Sequence, residues 1–115
     1  MLALSDRSNL LSFVTLSLDS VARIWGSEGE LEGETPCDGQ AITGLSVPGK
    51  RDYFLVSTVN EETGENRVTL YRKQKLVTRL TGPFPEAVLD LKVCAGHLFV
   101  PRGLNSVDRL TVPGL

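Results

Sequence analysis

Residues 17–25, Ser17-Leu18-Asp19-Ser20-Val21-Ala22-Arg23-Ile24-Trp25, contain the only tryptophan of a 115-residue chain. Asp19 and Ser20 are turn formers, because their short polar side chains bond nearby backbone groups. Val21, Ile24 and Trp25 then favour a pleated strand. The stretch reads as a tight turn feeding a short strand that ends on a large aromatic.

The chain on either side continues in the same style. Residues 9–16 are compact, apolar and rich in β-formers, as a buried strand requires. Residues 1–7 read as a loop or part of a strand. Residues 27–39 are rich in Gly and Glu and predict a loop, with a weak edge strand around 30–34. Residues 41–47 alternate with period two, and 48–52 (Pro-Gly-Lys-Arg-Asp) form a turn. Residues 53–59, 67–73 and 76–81 are further strands, broken by Gly82-Pro83-Phe84-Pro85. Residues 87–93, 97–101 and 106–112 complete the series. No segment sustains a 3.6-residue apolar period, so the expected class is all-β, with ten strands.

Composition narrows the functional classes. The chain is 41% hydrophobic and 23% charged, near the average for folded soluble domains. Its net charge of −2 supplies no overall reason for strong binding to nucleic acid or anionic lipid. Apolar runs fall far short of the roughly 20 residues needed to span a bilayer. The opening residues lack the basic and apolar regions of a signal peptide. Cys37 and Cys94 form neither a CxxC nor a zinc-type cluster, which predicts free thiols in a reducing compartment, nucleus or cytoplasm.

The strands recur. The run that opens at Ala41 opens again at Ala87, and the ends of the third strands, Trp25, Tyr71 and Thr111, stand 46 and 40 residues apart. Such periods belong to four-stranded propeller blades. Asp19-x-Val21-Ala22-Arg23-Ile24-Trp25 resembles the WD40 repeat, in which a turn Asp precedes a strand ending on Trp. Residues 65–71 and 105–111 are the second and third copies. The resemblance covers nearly the whole chain, with departures: Gly26 stands where the family's Asp usually follows, and no Gly-His precedes Ala41 or Ala87. The resemblance therefore implies only part of the family's buried hydrogen-bond network, through Ser17, Asp19 and Trp25. It also implies a partial blade at 1–40, a full blade at 41–86 and a partial blade at 87–115. About two and a half blades cannot close a propeller of at least four. The expectation is an open arc, whether a piece, a short isoform or a degraded copy of a longer propeller.

Candidate chemistry is sparse. Asp19 serves as a turn cap, and Trp25 and Tyr71 as blade-filling aromatics. His97 is the only histidine, no GxSxG motif is present, and no acid pair has glycosidase spacing, so no enzyme is expected. Glu28, Glu30, Glu32, Glu34 and Asp38 match no calcium loop, and neither metal nor cofactor is expected. Cys37 reads as a loop residue and Cys94 as a small core residue. Arg67, Arg72, Lys73, Lys75 and Arg79 form the main basic cluster. Positions 67, 73, 75 and 79 share strand parity, which predicts one charged face for a partner or RNA, or a charged edge strand.

The WD40 resemblance implies a non-catalytic scaffold for protein partners. A second resemblance, to the WD-repeat non-catalytic subunits of tRNA (guanine-N7) methyltransferases, implies support of a separate catalytic subunit. In that case the cluster from Arg67 to Arg79 is the contact surface.

Overall fold

The computed structural model describes residues 2–5, 12–26, 28–50, 52–80, 84–102 and 105–115. Arg51, Gly82 and Pro83, assigned above to turns and breaks, lie outside the described residues, as do residues 6–11 of the first segments and Thr81 of the expected strand 76–81. Among the described residues the chain is all-β, with eleven strands in three antiparallel sheets.

The first sheet has the order β1 (Leu2–Ser5), β2 (Ser12–Leu16), β3 (Val21–Gly26), β4 (Leu31–Pro36). The second has the order β5 (Gln40–Ser46), β6 (Tyr53–Val59), β7 (Asn66–Arg72), β8 (Lys75–Leu80). The third has β9 (Lys92–Cys94), β10 (His97–Arg102) and β11 (Ser106–Leu110), with β10 central. Every connection within a sheet joins neighbours, so each sheet is a simple meander.

Two expectations are corrected here. The ten strands expected are eleven, because Leu2–Ser5 forms β1 and gives the first sheet four strands. The weak edge strand expected around 30–34 forms as β4, at the edge of the first sheet. Arg23 binds its Glu34 side chain and offsets its charge. Residues 87–93 form ladder only from Lys92, because Val88 and Leu91 turn into the core as single buried anchors.

The second sheet lies between the other two. Side chains alternate across a strand, and both faces of β6 are buried. Phe54 and Val56 face the first sheet, where they pack with Leu16, Ala22 and Tyr71. Leu55, with Val68 and Leu70, faces the third sheet and packs with Leu98, Val100, Val88 and Leu91. The first two sheets approach most closely where β1 and β2 meet β5.

The strand register exposes a repeat finer than the sequence spacing. Phe13 sits opposite Trp25, Phe54 opposite Tyr71, and Leu98 opposite Leu110. In each sheet the first partner is the second residue of its strand. The first two pairs stack, with centroids 6.5 and 5.1 Å apart. The adjoining fourth strand carries a bulge beside each aromatic, between Ile24 and Trp25 and between Leu70 and Tyr71. The third-copy counterpart of Trp25 is therefore Leu110; Thr111, expected above, lies beyond β11.

The link between the first two sheets passes through Gly39. Its φ is +117°, and a Cβ there would lie 2.7 Å from the Val59 carbonyl oxygen. Only glycine fits both demands.

Candidate functional site

Ser17, Asp19 and Arg23 form a closed set at the β2–β3 turn. Ser17 Oγ donates to Asp19 Oδ1. Arg23 donates to Asp19 Oδ2 at 2.6 Å and to Ser17 Oγ at 2.8 Å. Its Nε donates to Glu34 at 3.0 Å. The Val21 N–H also donates to Asp19. The Arg23 guanidinium, with Ser17 and the Val21 N–H, holds the Asp19 carboxyl well below the usual carboxylate range. This arrangement fixes the turn and presents Leu18, 99% exposed, at its tip.

Trp25 stands apart from that set. Its Nε1 donates to Thr15 Oγ1 at 2.9 Å, not to Ser17 or Asp19. The network expected through Ser17, Asp19 and Trp25 is thus split in two. Thr15 was not singled out by sequence, although it lies two positions from Ser17 on the same strand face. Tyr71 is 2% exposed, and burial pushes its phenol up to about 12.

The basic cluster also divides, and the parity argument fails. A hairpin turn at Lys73 and Gln74 reverses the chain, and the bulge at Val77 shifts the remaining register. Arg79 sits opposite Thr69, on the face turned to the first sheet, whereas Lys75 sits opposite Arg72. Arg67 and Arg79 converge on Asp38 in the inter-sheet link. Arg67 Nη1 donates to Oδ1 at 3.0 Å, and Arg79 Nε makes an ion-pair contact with Oδ2 at 2.5 Å. Arg67 also binds Glu65. Asp38 was not among the sequence candidates for this cluster, since nothing local pairs it with arginines 29 and 41 residues away.

Arg72, Lys73 and Lys75 lie at the far end of the same hairpin. With Asp52 and Gln74 they line an open cavity of about 320 Å³. Within ion-pair distance of a described carboxylate there is only Lys73, 3.9 Å from Asp52. The Tyr53 ring lies beneath two cations, Lys50 Nζ at 5.3 Å and the Arg72 guanidinium at 5.8 Å from its centroid.

Cys94, expected in the core, is exposed. Cys37 lies in the link between the sheets, outside any strand as expected, but packs against the first core cluster, and burial pushes its thiol up to about 11. His97 Nδ1 lies 3.1 Å from the Ala95 carbonyl oxygen, at the mouth of the β9–β10 turn. Among the described residues no group of three or more His, Cys, Asp or Glu is placed to hold a metal, and no helix is long and apolar enough to cross a membrane. No protein-family model matches the chain, and no curated protein matches it.

Proposed function

We propose that the chain is a non-catalytic protein-interaction scaffold of WD-repeat type, each meander sheet serving as one blade of an open propeller arc. The repeated register supports the blade reading. An aromatic pair and an adjacent bulge recur at matched positions in the first two sheets, and those sheets converge along their first strands.

The observation that carries the function is how the cations are distributed. On the sheet faces, Arg23, Arg67 and Arg79 are bound by carboxylates. At the β7–β8 turn, Arg72, Lys73 and Lys75 project around an open cavity with one carboxylate, Asp52, for three cations. Uncompensated charge on a rigid hairpin steers and orients a partner of opposite sign. The test is affinity capture with the chain and with a triple variant, Arg72→Glu, Lys73→Glu and Lys75→Glu. A partner lost on that reversal supports the reading. A partner that ignores it, or none at all, overturns it.

The same rim favours one further reading, a WD-repeat subunit beside a tRNA (guanine-N7) methyltransferase catalytic subunit. Co-expression with such a subunit is expected to give a complex that the triple reversal dissociates. Failure to co-purify removes this reading and leaves the first standing.

A further inference from the structure

The three sheets stack in one direction, each turning the same face to its neighbour. The pairs Val14–Ile24, Leu55–Leu70 and Phe99–Arg109 occupy one register position, and Leu16–Ala22, Ser57–Val68 and Pro101–Val107 the next. In the first two sheets this face is closed. Leu16 and Ala22 are covered by the second sheet, and Leu55, Ser57, Val68 and Leu70 by the third; none of these is more than 5% exposed. In the third sheet the same face is open. Val107 is 57% exposed, and Arg109 and Pro101 are exposed too.

The opposite face shows the mirror situation. Phe54 and Tyr71 are 1% and 2% exposed beneath the first sheet. Their counterparts Phe13 and Trp25, on the outer face of the first sheet, remain partly exposed beside Leu31, which is 49% exposed. The two open faces are therefore the two halves of an interface that this molecule already makes twice internally.

Charge favours joining them. The open face of the third sheet carries Lys92 and Arg109, both exposed and flanking Phe99. On the open face of the first sheet Arg23 already binds Glu34, and the acid left over is Glu32, exposed in the bulge beside it and in no ion pair among the described residues. Apolar centres meet apolar centres, and acid meets base.

We infer that a second copy of this chain covers these faces head to tail, the third sheet of one copy docking on the first sheet of the other. Such a contact joins unlike surfaces and closes into a ring if its rotation allows. Two copies supply six sheets, within the usual range of closed propellers. The inference rests on the internal stacking, and only the closure into a ring of six sheets rests on the propeller reading proposed above.

Trp25 reports the contact, because it is the only tryptophan and lies on one of the two faces. Light scattering after size exclusion is expected to give at least twice the 12.5 kDa chain mass. Trp25 emission is expected to shift to the blue as concentration rises. Val107→Glu lies in the third sheet, away from Trp25 in its own chain. It is expected to weaken association about tenfold or more, since it buries a charge without a partner, and to return Trp25 to its water-exposed emission. Arg109→Glu should do the same from the opposite charge, and circular dichroism checks that both variants keep the β fold. A chain that is monomeric at all concentrations overturns the inference. So does a dimer whose Trp25 emission ignores both folded variants.

Discussion

Ser57 and Thr58 are neighbours on β6, yet their hydroxyls fasten opposite sides of the molecule. Thr58 Oγ1 donates to the Asp38 carbonyl oxygen at 2.7 Å, in the link to the first sheet. Ser57 Oγ donates to the Val88 carbonyl oxygen, also at 2.7 Å, in the approach to the third. The pleat makes this possible, because consecutive side chains point to opposite faces. Both residues are almost fully buried. The central strand thus places a polar tie in each of its two apolar interfaces.

Removing either tie leaves a linker carbonyl without its hydroxyl partner. Ser57→Ala and Thr58→Val are each expected to cost about 1–3 kcal/mol in urea denaturation. The two bonds share no partner and lie in different interfaces. The double variant should then lose the sum, with a coupling energy below about 0.5 kcal/mol. A coupling well above that would mean that the two interfaces open together.

Gly39 is the tightest point of the inter-sheet link. Alanine there must adopt φ +117° and bring its Cβ to 2.7 Å from a backbone oxygen that cannot swing aside. Gly39→Ala is expected to destabilise by more than the roughly 1–3 kcal/mol of backbone strain alone. Gly49→Ala is the control: φ is +76° and its Cβ would meet nothing within 4 Å. Thermal melts of the two variants should differ in that order.

The strands were legible because a half-buried sheet imposes period two, which residues 41–47 and 67–73 display, while residues 53–59 form the continuous run of β-formers that a strand buried on both faces requires. The β2–β3 turn was legible because Asp19 and Ser20 carry their own turn chemistry. Other features were not local enough to read. β4 was legible only as a weak edge strand because Gly33 and its two glutamates disfavour it, and Arg23, which offsets Glu34, stands across the ladder. The pairing of Phe13 with Trp25 depends on register, which sequence spacing alone leaves open. The bulge at Val77 reversed the parity of the basic cluster, so Arg79 and Lys75 fell on different faces. Asp38 gathers Arg67 and Arg79 only because β7 and β8 fold beside the link that carries it.

That clamp gives a graded prediction. Asp38 and Arg67 are mostly covered, with side chains 16% and 18% exposed, whereas Arg79 is 45% exposed. Asp38→Ala leaves two guanidiniums without their shared carboxylate and is expected to cost about 1–3 kcal/mol. Arg79→Ala removes an exposed partner and should cost less than about 1 kcal/mol. Arg67→Ala should fall between them. Equal losses for Arg67 and Arg79 in chemical denaturation would contradict the geometry.

The alkaline limb of stability follows from burial at the junction of the first two sheets. Cys37 is raised from 9.0 to about 11 and Tyr71 from 10.0 to about 12, in both cases chiefly because burial disfavours the anion. A raised folded value means that the folded state holds its proton longer than the unfolded chain does. The associated stability is fully present below the unfolded value and is lost as pH rises toward the folded one. Stability is therefore expected to fall first between about pH 9 and 11, through Cys37, and then between about pH 10 and 12, through Tyr71. Cys37→Ala should remove the lower step and Tyr71→Phe the upper, each measured as urea midpoint against pH. The same burial predicts thiol selectivity, since the thiolate is the reacting form. Iodoacetamide at mildly alkaline pH should modify exposed Cys94 well before Cys37. Equal rates at the two thiols would mean that the junction between the sheets opens readily in solution.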